Sequence, residues 1–108
     1  MHVPDITDQM FEKVRESASA PIVLVLHAGR GDFFRFLEAI ASDFDQYLIL
    51  LAVSVDENPS FEDLVDGRLP VCLAYKQTRV VSRWDLSIGE SGHGLRKFLE
   101  NLLPEQAQ

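Results

Sequence analysis

At 108 residues the chain has the length of one domain, able to bury roughly two-thirds of its unfolded surface without disulfides or metals. Its 46% apolar and 25% charged residues exclude a disordered or a membrane-embedded chain. The 10 Lys and Arg against 17 Asp and Glu give a net charge of −7, and the basic residues fall singly, which argues against a nucleic-acid partner needing clustered cations.

Met1-His2-Val3-Pro4-Asp5 shows no cationic stretch followed by an apolar run, so no secretory leader is read there. Thr7 is suited to cap a first helix, in which Phe11, Val14 and Ala18 share one side. That helix is expected to end near Ala20-Pro21, because a residue before proline is pushed out of helical geometry. Ile22 to Leu26 is a continuous β-branched and leucine run, the pattern of a strand buried on both faces. Ala28-Gly29-Arg30-Gly31 breaks it. Asp32 then reads as the cap of a second helix with Phe33, Leu37, Ile40 and Phe44 on its apolar face.

Leu48 to Val55 is the next buried strand, and Asp56-Glu57-Asn58-Pro59 turns out of it. The longest apolar run, Tyr47 to Val53, is far below the roughly 20 residues of a membrane helix. A short helix is expected over Phe61 to Val65, with Gly67 as its left-handed stop. Val71 to Tyr75 and Arg79 to Trp84 read as strands joined by a polar turn at Gln77-Thr78, short enough to force antiparallel pairing. After a loop holding Gly89, Gly92 and Gly94, a last helix carries Leu95, Phe98, Leu99 and Leu102 on one face, and Pro104 stops it before a frayed tail over 104–108. The order α-β-α-β-α-β-β-α is a single α/β domain spanning 1–108 with no repeat or linker.

Several local strings in this order resemble the thioredoxin family across nearly the whole chain. Val55-Asp56-Glu57-Asn58-Pro59 is similar to the turn after that family's third strand, and Arg68-Leu69-Pro70-Val71 to the segment that holds its cis-proline. The resemblance implies a thioredoxin-like fold, a central mixed four-stranded sheet flanked by helices, with a cis Leu69–Pro70 bond. The departures concern chemistry. His27-Ala28-Gly29-Arg30-Gly31-Asp32-Phe33-Phe34 lies over the family's Trp-Ala-x-Trp-Cys-Gly-Pro-Cys, so Gly31 and Phe34 replace the two cysteines; with one residue deleted from the loop, Arg30 and Phe33 do. A dithiol oxidoreductase needs one thiolate to attack a disulfide and a second thiol to resolve the mixed disulfide. Cys72 is the single cysteine of the chain and lies in neither register, so the resemblance implies a redox-inactive member.

Cys72 itself sits inside an apolar strand, where burial suppresses the thiolate, and reads as a core residue. His2, His27 and His93 show no metal-ligand spacing, and no cofactor is expected. His27, ending a buried strand, reads as satisfied by a backbone hydrogen bond rather than as catalytic. Arg30-Gly31-Asp32 reads as a tight loop and cap. Trp84 reads as a packing residue, though an edge position would also suit an interface. In the related fold, extended polypeptide docks on the former active-site surface. Arg30, Phe33, Phe34, Leu69, Pro70 and Val71 are therefore the candidate partner-binding residues, and the Leu69 backbone would pair with an extended strand. If Phe33 and Leu37 face the sheet, Phe34 is left at the exposed rim; the alternative is that Phe34 tucks beside its neighbours. A second candidate is an acidic patch of Asp56, Glu57, Glu62, Asp63 and Asp66, either a solvated surface or a device that steers a basic partner.

The function expected from these residues is a cytoplasmic, non-catalytic protein-binding module, such as an assembly or maturation factor or a co-chaperone. Bacterial thioredoxin-like proteins that assist hydrogenase maturation are similar in lacking the motif. The alternatives are a self-associating module forming a homodimer through Phe33, Phe34 or Trp84, and a single-thiol enzyme using Cys72. Neither nucleic acid nor a membrane is an expected partner.

Overall fold

The computed structural model describes residues 3–29, 31–65, 69–76, 79–85 and 92–103. Helix α1 is Asp8–Ser17, strand β1 Ile22–His27, helix α2 Asp32–Ala41 and strand β2 Ile49–Ser54. A 3-10 helix, Pro59–Leu64, leads to β3 (Val71–Lys76), β4 (Arg79–Asp85) and helix α3 (Gly92–Glu100). The four strands form one sheet in the order β2-β1-β3-β4, with β1 parallel to β2 and the other two neighbours antiparallel. The described residues thus form a mixed α/β fold with a four-stranded mixed sheet flanked by helices, as expected at that level.

β1 is buried along its whole length, because its two edges are paired and both its faces are covered. Alternation sorts its side chains between two apolar clusters. Ile22, Leu24 and Leu26 meet Phe11 of α1 and Phe61 of the 3-10 helix, together with Val71, Leu73 and Tyr75 of β3. Val23 and Val25 meet α2 and α3 through Leu37, Ala41, Leu95 and Leu99, with Cys72, Ala74 and Trp84. α1 therefore covers one face of the sheet, and α2 with α3 the other.

Three local features depart from the expected boundaries. α1 closes at Ser17 with Ala18 as an extended C-cap, three residues short of Pro21. Thr7 does cap it, its Oγ1 accepting from the Met10 N–H at 3.2 Å. α2 is capped by Gly31, which brings no side chain to the task, and Asp32 is its first helical residue. There its carboxylate lies near the helix's positive end rather than bonding as a cap. The segment after β2 is a 3-10 turn begun by Pro59 rather than an α-helix from Phe61. Gly92 and Gly94, expected in the loop before the last helix, lie instead in the first turn of α3. The expected stop at Gly67, the Gln77-Thr78 turn, Gly89, the Pro104 stop and the 104–108 tail lie outside the described residues.

Two long-range ties hold the N-terminal end. Asp5 forms a parallel bridge to Ala52, with the Ile6 N–H donating to Ala52 O and the Ala52 N–H to Pro4 O, both at 2.8 Å. The outer edge of β2 is thereby covered. Asn58, buried after β2, accepts from the Asp8 N–H at 3.1 Å and donates from Nδ2 to Ser54 O at 3.0 Å. One side chain thus satisfies an orphan amide of α1 and a carbonyl at the end of β2.

Candidate functional site

The C-terminal end of β1 and the first turn of α2 face the Leu69–Pro70 turn across a shallow concavity. It is lined by His27, Ala28, Gly29, Gly31, Asp32, Phe33, Phe34, Leu69 and Pro70. The Leu69–Pro70 peptide is cis. Five expected contact residues are therefore placed together here or beside it: Phe33, Phe34, Leu69 and Pro70 line the hollow, and Val71 opens the adjoining strand. Arg30 lies outside the described residues.

Their roles differ from the expected ones. Phe34 is buried, 4% exposed, in the cluster with Leu37 and Phe44, and Phe33 is the half-exposed ring at the rim. Of the two readings of Phe34, the tucked one is observed, and Phe33 rather than Phe34 stands at the rim. Phe34 and the His27 imidazole pack edge-to-face at 4.9 Å between ring centres, and Phe33 stacks on Trp84 at 5.7 Å with 17° between planes. Trp84 is buried inside its own chain, a packing residue as read. Val71 is fully buried and offers no side chain to a partner. The surface available in the hollow is that of Ala28, Asp32, Phe33, Leu69 and Pro70 with the backbone of Gly29 and Gly31.

His27 is almost wholly buried, and both ring nitrogens are engaged. Nδ1 accepts from the Gly29 N–H at 3.0 Å, and Nε2 lies 2.7 Å from Asp5 Oδ1. An acceptor at Nδ1 requires the proton to sit on Nε2, which donates to the carboxylate. The backbone bond is the one expected of a satisfied histidine. The Asp5 contact had no signal in the sequence, because 22 residues separate the pair and only the bridge to Ala52 brings them together. With both nitrogens committed, the ring offers neither a base nor a ligand to the hollow in this arrangement. Gly29, at φ +148°, turns the loop through backbone space that L side chains rarely adopt.

Cys72 lies in β3 opposite Val25 and Trp84, with no exposed surface. Burial pushes its thiol up from 9.0 to about 12, so it is protonated at neutral pH and carries no nucleophile. Among the described residues no group of three or more His, Cys, Asp or Glu is arranged to hold a metal. No described helix is long and apolar enough to cross a membrane.

The acidic residues Asp56, Glu57 and Asp63 are exposed on the turn after β2 and the 3-10 helix; Asp66 and the Glu62 side chain lie outside the described residues. A second hollow beside this stretch is floored by Phe11, Phe61 and Tyr75 and rimmed by Asp8, Glu12, Asp63 and Arg15. Its aromatic rings are edge-packed on Phe11 at 5.8 and 5.1 Å. Burial raises the Tyr75 phenol, an effect Arg15 opposes and Glu12 reinforces. No family model matches the chain, and no curated protein matches it.

Proposed function

We propose that the chain is a non-catalytic, thioredoxin-like module that docks a protein client on the hollow between the glycine loop and the Leu69–Pro70 turn, as an assembly or maturation factor or a co-chaperone would. The observation that carries this reading is the hollow itself. It joins a half-exposed aromatic, an apolar turn and a glycine-lined backbone at the end of the central strand, and those are the means by which extended polypeptide is held. The non-catalytic part rests on the positions of the thiol-bearing motif being filled by Gly31 to Phe34 and on the inert burial of Cys72. The sheet order and the helices on both faces support the likeness in fold.

A photoreactive phenylalanine analogue placed at Phe33 tests the reading, with the same group at Val80 on the far edge strand as control. One client protein crosslinked from position 33, not from position 80, and lost when Leu69→Asp is added, is the expected result. Equal crosslinking from both positions, or none from a folded protein, overturns the docking face. Insulin reduction above a protein-free blank would overturn the non-catalytic part.

A further inference from the structure

The tie between His27 and the glycine loop depends on a proton. Nδ1 can accept the Gly29 N–H only while it is bare, and Nε2 already carries its hydrogen toward Asp5. A second proton on the imidazole has one place to go, Nδ1. There it meets an N–H, so an attractive contact becomes two opposed donors. The bond to Asp5 survives, now between a cation and a carboxylate, and becomes stronger.

We propose that His27 is a pH-responsive latch: neutral, it holds the glycine loop at the rim of the hollow, and protonated, it releases Gly29 while gripping the N-terminal segment through Asp5. Three observations make the response local. The imidazole is held on its other side by the Phe34 ring, so it cannot rotate away without opening the core. Gly29 and Ala28 are exposed, so the loop can move into solvent. Asp5 belongs to the bridge on the edge of β2, which a charged imidazole would tighten rather than break.

Among the described residues, the charged groups at or near the ring are Asp5 from the N-terminal segment, bonded to Nε2, and Asp32 from the first turn of α2, which lines the same hollow. β2 presents Ser54 beside His27, and Leu69 and Pro70 are apolar, so neither element brings a charge there. The latch needs no client, so its failure would leave the docking reading standing, and the reverse.

The test is a titration of the whole ¹⁵N-labelled chain followed by NMR from about pH 8 to about pH 5, the range in which histidines change charge. At the upper end the expected spectra show a protonated Nε2 and a bare Nδ1. On acidification Nδ1 gains its proton. The Gly29 amide then moves to an unbonded shift with the same midpoint, and its exchange protection falls about tenfold, the weight of one hydrogen bond. Asp5→Asn keeps an acceptor for Nε2 but removes the anion, and should move the Gly29 transition to lower pH. His27→Gln cannot titrate and should leave Gly29 indifferent to pH. A protonated Nδ1 at the upper end, a His27 that stays neutral throughout, or a Gly29 amide that ignores the titration would each overturn the latch. The wild-type protein alone decides these three outcomes, even if the His27 variant does not fold.

Discussion

Cys72 and the two adjacent phenylalanines show how position decides what a residue can do. A thiol in the unfolded chain ionises near its ordinary value, whereas burial holds Cys72 protonated to about 12. The unfolded state therefore loses that proton first. The stability the buried thiol contributes is whole below the unfolded value and is lost as pH rises toward the folded one, by up to about 1.4 kcal/mol per unit. Denaturant unfolding of wild type and Cys72→Ala at about pH 8 and about pH 10 isolates the effect from other alkaline groups. The wild type's margin over the variant should shrink at the higher pH; a constant margin would mean the thiol is not held in the core. At positions 33 and 34 the same chemistry meets two environments. Phe34→Ala empties the space against His27 and Leu37 and should cost about 3–5 kcal/mol. Phe33→Ala loses mainly a stacked contact with Trp84 and should cost on the order of 1 kcal/mol. Equal losses in denaturant unfolding would contradict the assignment of one ring to the core and the other to the rim.

At the level of elements, each contact that fixes an end matters more than the run it terminates. Asn58 joins the start of α1 to the end of β2, so Asn58→Ala takes the side-chain partner from the Asp8 amide, while Ser54 O keeps the backbone N–H of residue 58, and should cost about 1–3 kcal/mol. Thr7→Ala removes only an exposed cap and should cost about 1 kcal/mol. A smaller loss at Asn58 than at Thr7 would mean water replaces the buried bonds. The strands and the amphipathic faces of α1 and α3 were legible, because a buried strand needs an unbroken apolar run and a packed helix needs a stripe. The register of α2 was not. Phe33 and Phe34 each begin a stripe that passes through Leu37 and Phe44, and helical geometry alone does not choose between them. The choice comes from tertiary contact, an edge-to-face packing with His27 for one ring and the Trp84 face for the other. The bridge at Asp5 was illegible for a similar reason: Val3-Pro4-Asp5-Ile6 has no strand periodicity, and its pairing partner lies beyond α1, β1 and α2.

For the whole molecule, net charge and sheet position set how it meets others and how it opens. On the proposed docking reading, a chain at −7 with Asp56, Glu57 and Asp63 exposed would attract a basic client over about one Debye length, roughly 8 Å at physiological salt. The hollow would then fix the encounter, so salt should slow client capture more than it speeds release. Among the described residues, the order β2-β1-β3-β4 leaves β1 with a neighbour on each edge and a cluster on each face, whereas β4 pairs on one edge only and exposes Val80 and Val81. Opening β1 requires both clusters to come apart, which is global unfolding. Opening β4 requires only the loss of its pairing to β3, interrupted by an irregularity between Ala74 and Tyr75. Native-state hydrogen exchange should therefore give Val23 to Leu26 opening free energies equal to that of denaturant unfolding, with the hydrogen-bonded amides of β4 lower by at least about 1 kcal/mol. Equal protection in the two strands would show that the edge opens only with the core. The sheet would then be one cooperative unit.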